Sequence, residues 1–447
     1  MLLSLRPVYS PIFLDSPMKK LFLPLLFLSF SALGQSKLRP EIDKKSDAIE
    51  SKVIEWRRDF HKYPELGNKE FRTAKIVADH LRALGMEVTE QVAVTGVVGV
   101  LKGGKPGPMV ALRADMDALP VTERNDLPFR SVNTATYNGQ ETGVMHACGH
   151  DSHVAILMGV AEVLAGMKDQ LEGSVKFIFQ PAEEGIYEPG VTSFGAKQMV
   201  EEGVMTDVDA IFGLHIWAQL EAGKIGYRSG PFLAAVDNLD VTITGTQAHG
   251  ASPWSSVDPI VTASQAIMGL QTILSRSVNI TQNPAVVTVG AIHGGIRHNI
   301  IPEKVEMIGT IRTFGDEQQA LVHRRITEII TNIAESAGAK ADVNIGKLYP
   351  STVNDPNLTS QAIPSLVAAA GEGNVVVMDP VTGAEDFSFF QREKPGFFIM
   401  LGGMKKGLDP TKVPSHHTPD FHIEEDGFKL GVRALSYFVV DYMGMKK

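Results

Sequence analysis

Apolar, strand-like runs alternate with helical patterns along most of this chain, and that alternation limits its possible folds more than any other feature. The runs "GPMVALRADMD", "GSVKFIFQ" and "DAIFGLH" are separated by the helical patterns "DSHVAILMGVAEVLAGM" and "SFGAKQMVEEG". Strands that alternate with helices usually pair in parallel, in a sheet that the helices cover. The pattern therefore predicts an α/β sandwich with a largely parallel sheet.

The middle of the chain has a different order of elements. From about residue 237 to 346, the order is strand, helix, strand, strand, helix, strand, which is typical of a ferredoxin-like α+β arrangement. The α/β pattern then resumes with "EDFSFF" and "GFFIMLGG". Because 447 residues exceed one ordinary hydrophobic core, we predict one α/β domain built from residues 45–232 and 348–447. It is interrupted by an inserted α+β domain, residues 233–347.

The N-terminal segment predicts export. "MKKLFLPLLFLSFSALGQS", from Met18, has two lysines, an apolar run and small residues before Gln35, which is the pattern of a secretory signal. We expect cleavage after Gly34 and a periplasmic or secreted mature protein, and we leave residues 1–34 out of the fold prediction. The alternative is an uncleaved N-terminal anchor, but the apolar run is short for a membrane span.

The net charge limits the kinds of partner that this protein could bind, and the cysteine content limits the roles of its thiol. A formal net charge of −9 argues against nucleic acid or an anionic membrane surface as the main partner, and we expect no stable membrane insertion. A single cysteine, Cys148, excludes an internal disulfide. It is a buried structural residue, a reactive thiol or a metal ligand, and the neighbouring histidines favour the third interpretation.

Groups able to bind a metal gather at predicted strand ends and neighbouring loops, where α/β sheets carry their functional groups. They are Cys148 and His150 before a helix, Glu183 and Glu184 after the strand "GSVKFIF", His215 at the end of "DAIFGLH", and His417 in "SHHTPDF". A thiolate, a carboxylate and three imidazoles suit zinc or a comparable divalent ion. Of two adjacent carboxylates, one can bind the metal while the other takes a proton from water.

Nine short motifs in one order support a family resemblance. They are "RADMDALPVTE", "MHACGHDSH", "QPAEEG", "GLH", "AHGASP", "NIIP", "GTIRTF", "GAEDFS" and "HTPDF", and they extend over about residues 50–440. Together they resemble the M20 metallopeptidase/amidohydrolase family. The branch that looks most similar is the N-acyl-amino-acid amidohydrolases, which include hippurate and indole-acetyl-amino-acid hydrolases.

This resemblance implies a two-metal hydrolase with a catalytic domain and a lid domain, the inserted segment being the lid. The family's metal ligands fall on Cys148, His150, Glu184, His215 and His417. Its general base falls on Glu183. The resemblance implies two divalent ions per subunit, Zn²⁺ or Mn²⁺, with Co²⁺ or Ni²⁺ also compatible. It also implies a small-molecule substrate and a homodimer through the lid.

The remaining family positions include one at which this chain differs from other branches of the family. Asp117 matches an orienting aspartate beside a histidine ligand, but Asp115 occupies a position that is histidine in other branches. In the lid, His249 resembles the histidine that donates to the developing oxyanion. Asn299 and Arg312 resemble the pair that holds the substrate carboxylate, and a guanidinium suits that role because it can bind a carboxylate with two hydrogen bonds.

The expected reaction is therefore hydrolysis of the amide bond of an N-acyl-amino acid, giving a carboxylate and a free amino acid. The nearest alternative is a metallo-dipeptidase or carboxypeptidase with the same machinery and a different acyl pocket. A non-enzymatic binding protein would not need the Glu183 base. A zinc deaminase needs paired cysteines, and a serine hydrolase needs a "GxSxG" element that this sequence lacks.

Overall fold

The computed structural model of the chain describes residues 37–187 and 190–445. The predicted signal segment, residues 1–34, lies outside these ranges. No helix within the described ranges combines the length and the apolar character needed to cross a bilayer.

Nine α-helices occur in the described residues. They are α1 (Arg39–Lys62), α2 (Phe71–Ala83), α3 (His150–Ala165), α4 (Gly195–Glu201), α5 (Pro259–Thr272), α6 (Asp316–Ser336), α7 (Pro356–Ala370), α8 (Phe387–Glu393) and α9 (Phe428–Met445). The sequence explains where two of these helices begin. Asp258 and Asp355 accept hydrogen bonds from the first-turn amides of α5 and α7, and a proline follows each of them, which is a favourable helix beginning.

Eighteen strands form one large sheet and several smaller ones in the same residues. They are β1 (Glu87–Val92), β2 (Gly96–Lys102), β3 (Lys105–Asp115), β4 (Thr134–Tyr137), β5 (Gln140–Gly143), β6 (Glu172–Gln180), β7 (Ala210–Glu221), β8 (Ile225–Tyr227), β9 (Gly230–Leu233), β10 (Ala235–Thr244), β11 (Ala248–His249), β12 (Val286–Gly294), β13 (Ile300–Ile301), β14 (Lys304–Thr313), β15 (Lys340–Tyr349), β16 (Thr352–Asn354), β17 (Val375–Val377) and β18 (Gly396–Met404).

The large sheet has eight strands in the order β1-β2-β6-β3-β7-β18-β8-β17. Its central strands β6, β3, β7 and β18 run parallel, and the antiparallel pairs lie towards the edges. Helices α1, α3 and α9 pack with one apolar cluster, and α4 and α8 with the other. Because both faces are covered, the central strands are apolar on both sides. The predicted α/β sandwich is confirmed.

A second sheet has four antiparallel strands in the order β12-β14-β10-β15. Buried and less buried residues alternate along β10, as expected for a sheet that is covered on one face. Residues of α5 and α6 complete its apolar core. The observed order of strands and helices agrees with the predicted β-α-β-β-α-β pattern, while the division into a catalytic and a lid domain stays a prediction.

Two crossings connect the large sheet with the four-stranded sheet, and they lie side by side. The outgoing chain enters β10 at Ala235, and the returning chain leaves β15 at Tyr349. Val236 pairs with Tyr349 across these strands, and β9 pairs with β16 just outside them. This narrow connection lies close in the sequence to the predicted domain boundaries at residues 232–233 and 347–348.

Candidate metal centre

The loop before α3 brings Cys148 and His150 into the protein interior. Gly149 between them has φ +98°, a conformation that residues with a side chain rarely adopt. A Cβ at this position would lie 2.3 Å from Cγ2 of Ile216. The backbone of this loop can therefore pass against β7 only because residue 149 is glycine.

The loop after β6 carries Glu183 and Glu184, and side chains from elsewhere hold its backbone. The amide of Ala182 donates to Oε1 of Glu70 at 2.9 Å. The amide of Glu184 donates to Oδ2 of Asp117 at 2.8 Å. Ala182 has φ +48°, which is unfavourable for a non-glycine residue. The surrounding hydrogen bonds thus fix a strained turn beside the two carboxylates.

His215 does not end its strand, and that part of the prediction was wrong. β7 continues from Ala210 to Glu221, because β18 pairs with it in parallel beyond His215. The pairing of β7 with β3, however, ends at Gly213. His215 therefore lies on the segment of β7 that extends past the end of β3, which still places its ring near the loop of Cys148.

His417 reaches the same place from near the C-terminus. Its amide donates to the carbonyl of Ala147 at 2.8 Å, which attaches the "SHHT" loop to the "MHACGH" segment. His417 has φ +63°. Its side chain is 52% exposed, so the open side of the centre lies at this ring.

The five predicted metal ligands lie together. The Sγ atom of Cys148 is 3.3 Å from Nε2 of His215 and 3.3 Å from Nε2 of His417. Nε2 of His417 is 2.9 Å from Oε1 of Glu184. When a sulfur atom and a nitrogen atom bind the same tetrahedral zinc ion, they lie about 3.5 Å apart. The spacing of the thiol and the two rings therefore fits a shared cation.

His150 completes the set through a nitrogen that has no hydrogen-bond partner. Its Nδ1 lies 2.9 Å from the carbonyl oxygen of Asp117, which can only accept. Nδ1 therefore carries a proton, and Nε2 is the nitrogen that remains available to bind a metal. That Nε2 is buried without a hydrogen-bond partner, 3.9 Å from Glu184 and 4.0 Å from Glu183. A ring nitrogen that is available to a metal and lies beside two carboxylates fits a cation between them.

Contacts with the backbone also determine which ring nitrogen of the other histidines is available to bind a metal. Nδ1 of His215 lies 2.6 Å from the carbonyl oxygen of Ile216, so its Nε2 is free to face Cys148. His153 and His416 differ, because Nε2 of each accepts a backbone amide. Their Nδ1 atoms therefore carry the proton. Nδ1 of His153 lies 2.6 Å from Oδ1 of Asp115, and Nδ1 of His416 lies 3.7 Å from Sγ of Cys148. Both rings are therefore placed as hydrogen-bond donors rather than as metal ligands.

Glu183 lies between the ligand set and a buried group of acids. Its oxygens lie within 4.8 Å of those of Glu385 and Asp386. Burial, with the charges of Glu385 and Glu184, raises the pKa of Glu183 well above its usual value. Arg113, fully buried, donates to Asp386 and forms an ion pair with Glu385, each at 2.9 Å. One guanidinium thus compensates part of the charge behind Glu183.

The charge balance of the centre also favours a cation. Burial and the nearby carboxylates of Glu184 and Glu183 raise the pKa of Cys148 well above its usual value. Burial lowers the pKa of His150, but the carboxylates of Asp115 and Asp117 outweigh this effect and raise it to about 10. A bound divalent cation reverses both tendencies, because it favours the thiolate and the neutral imidazole. The residues therefore fit the implied metal ions.

Asp117 contacts a predicted ligand, whereas the predicted substrate residues lie elsewhere. Oδ1 of Asp117 is 3.2 Å from Nδ1 of His150. His249 lies on β11, beside Asn299, whose carbonyl accepts the amide of Gly250. Arg312 lies on β14 and donates to its own strand. Within the described residues, no hydrogen bond or ion pair joins these three to the Cys148 group, and their roles stay predictions.

Sequence reasoning assigned no role to several residues that support the centre. Glu70 holds the turn of Ala182, and Glu385 and Asp386 surround Glu183. The motif "GAEDFS" contained the signal for the two acids, since adjacent acidic residues stand there beside an apolar segment. Nothing local to Glu70 indicates its role, because its partner lies 112 positions away.

Comparison with known proteins identifies the family. The model of peptidase family M20/M25/M40 matches residues 111–441. The chain is 40% identical over 398 residues to thermostable carboxypeptidase 1 of Saccharolobus solfataricus, covering 88% of this chain and 96% of that protein. It is 36% identical over 392 residues to the N-acetylcysteine deacetylase of Bacillus subtilis, covering 88% and 96%.

A solved structure agrees with these relatives. The YXEP protein of Bacillus subtilis, described as a dinuclear metal-binding peptidase of the M20 family, superimposes with a TM-score of 0.74. It is 34% identical, and the match covers 89% of this chain and 99% of that chain. The chain described here belongs to peptidase family M20/M25/M40 and is a metal-dependent hydrolase.

Proposed function

We propose that the protein hydrolyses the amide bond of N-acyl-amino acids, with Glu183 as the general base. One observation carries this proposal: adjacent carboxylates have different surroundings. Glu184 lies against His417 and Cys148. Glu183 lies 4.0 Å from His150 but has the acids Glu385 and Asp386 on its other side. The first environment suits a metal ligand, and the second suits a group that binds and releases a proton.

The reaction then divides between the bound ions and the side chains. Divalent ions in this centre would polarise the acyl carbonyl and lower the pKa of a water molecule. Glu183 takes the proton from that water as the oxygen attacks the carbonyl carbon. Glu183 then gives the proton to the leaving nitrogen, which departs as the free amino group. Buried Asp117 keeps His150 oriented through the contact with its Nδ1.

Residues of the inserted segment would bind the substrate. The amide of Ala251 donates to Nδ1 of His249 at 3.0 Å, which leaves Nε2–H of the neutral ring as a donor for an oxyanion. Arg312 is half-buried, and Asn299 has a buried amide oxygen without a partner. We propose that these two residues bind the carboxylate of the amino-acid half.

A second candidate activity is that of a metallo-carboxypeptidase or dipeptidase. The name of the archaeal relative, which is 40% identical, favours it, whereas the name of the Bacillus deacetylase favours N-acyl-amino acids. Both activities use the same base and ions. They differ in what fills the acyl side of the site.

A substrate panel tests the proposal directly. After chelation, the protein is supplied with Zn²⁺, Mn²⁺, Co²⁺ or Ni²⁺ singly, and assayed with N-acetyl-amino acids, N-benzoyl-amino acids and dipeptides. We expect no turnover without metal, and a kcat/KM for the best N-acyl-amino acid at least about 10-fold above that for the best dipeptide, equivalent to about 1.4 kcal/mol. The reverse ranking would assign the protein to the peptidase alternative.

We also propose that the mature protein is exported. The basis is the predicted signal segment, which begins at Met18 and ends at Gly34. Expressed from Met18 in a bacterial host, the protein should be recovered outside the cytoplasm with Gln35 as its first residue, as N-terminal sequencing would show. Replacing the "LFLPLLFL" run with a polar sequence should retain it in the cytoplasm at full length. An uncleaved N-terminus on the wild-type protein in the membrane fraction would favour the anchor alternative.

A further inference from the structure

Tyr349 lies at the point where the chain returns from the four-stranded sheet. It is the last residue of β15 and pairs with Val236 of the outgoing crossing. Its ring packs edge-on against Phe194 at 4.5 Å between centroids and against Phe389 at 6.2 Å. Its hydroxyl does not point to solvent. It donates to the carbonyl oxygen of Glu183 at 2.6 Å.

This hydrogen bond completes a set of contacts on three consecutive residues. Ala182 is held by Glu70 and Glu184 by Asp117, through their amides. Both of these contacts come from the large-sheet part of the chain. Glu183 lies between these two residues, and its carbonyl oxygen accepts the hydrogen bond from Tyr349. This third contact comes from the crossing. The backbone amide of Asp386 adds a longer hydrogen bond, which it donates to Oε1 of the Glu183 carboxylate at 3.4 Å.

The geometry points to Tyr349 as a positioning residue, which we propose links the paired crossings to the general base. The inference rests on the proposed role of Glu183. Any movement of the four-stranded sheet against the large sheet must pass through the crossings at Val236 and Tyr349. Because the Tyr349 hydroxyl holds the Glu183 backbone, such a movement shifts the base relative to the attacking water. The position of the base then depends on the arrangement of the two sheets.

The test is Tyr349→Phe, which removes one oxygen and keeps the ring between Phe194 and Phe389. We expect kcat for the best N-acyl-amino acid to fall about 10-fold, as for a lost hydrogen bond that orients a reacting group. KM and the metal content should stay within about twofold of the wild-type values, because Tyr349 is neither a proposed metal ligand nor a proposed substrate-binding residue. A purely structural role would instead lower the amount of folded enzyme and leave kcat per active site unchanged.

Tyr437→Phe is the matched control. Tyr437 also donates one hydrogen bond from its hydroxyl, to Oδ1 of Asp43 at 2.7 Å, but it lies on α9 against α1. Its loss should leave kcat unchanged even if thermal stability falls. A drop in kcat of similar size in both variants would overturn the inference, since the effect would then follow general loss of a tyrosine hydroxyl.

A double-mutant cycle with Glu183→Gln separates this inference from the proposed function. If Tyr349 acts through the base, adding Tyr349→Phe to the Glu183→Gln variant should change its residual turnover by less than about twofold. An equal 10-fold loss in both backgrounds would overturn the link. A severe loss with Glu183→Gln but wild-type kcat with Tyr349→Phe would overturn this inference alone. Full turnover with Glu183→Gln would overturn both.

Discussion

Replacing Glu183 with glutamine should abolish most turnover while the protein keeps its metal. Glutamine has the same shape but cannot take a proton, and a positioned general base contributes about 10²- to 10⁴-fold to a reaction rate. Glu183 has acids on one side and His150, a predicted metal ligand, on the other. We therefore expect kcat to fall about 10³-fold, with metal content measured by plasma emission unchanged.

The adjacent residue provides the contrast for this experiment. Glu184→Gln makes the same chemical change one position later, where the carboxylate contacts His417. Metal content should fall in that variant, and added metal should restore part of the activity. If Glu183→Gln lost metal and Glu184→Gln kept it, the two roles would have to be exchanged. Wild-type turnover in the Glu183→Gln variant would exclude Glu183 as the base.

Removing the thiol should have the second largest effect, on metal affinity. Cys148 belongs to two groups of side chains that could hold a metal ion, one with His215 and the other with His417, so its loss should affect the whole centre. Residues that only support a metal ligand cost about 10- to 100-fold in affinity when they are changed. We expect Cys148→Ala to weaken binding of the tighter ion by at least about 100-fold, measured by competition with a chromophoric chelator.

Two controls make the cysteine experiment decisive. Cys148→Ser preserves the size of the side chain with a much weaker ligand atom, and the melting temperature of the metal-free variants reports any change in folding. Because Cys148 is the only cysteine, thiol titration of the wild-type protein is unambiguous. Metal should slow the reaction of this thiol with a disulfide reagent. Full metal occupancy in the alanine variant would remove Cys148 from the ligand set.

The sequence predicts those parts of the site that depend on local pattern. Asp115 ends β3, and Glu183 follows β6, as the strand and turn patterns indicate. The position of His215 within its strand could not be read locally, because β18, which extends β7, comes from a segment about 180 residues later. The order of strands and helices between β10 and β15 could also be predicted, since the apolar pattern changes its period from one element to the next.

Contacts between distant segments account for what the sequence did not reveal. Arg113 is fully buried against Glu385 and Asp386, yet a strand arginine is usually exposed. The support of Glu183 by Tyr349 likewise joins positions 166 apart. Such partners follow from the way in which distant segments of the chain pack together. Neither periodicity nor motif spacing contains that information.

The placement of β18 has a consequence for how the protein is made. This strand lies inside the large sheet, between β7 and β8, although it begins only at Gly396, long after β8 ends at Tyr227. Its two flanking strands are then synthesised long before the strand that joins them. A nascent chain, or one truncated before Gly396, would lack both this strand and the His417 loop. Folding of the sheet centre and capture of the ions should therefore be completed together, once β18 and the His417 loop have been synthesised.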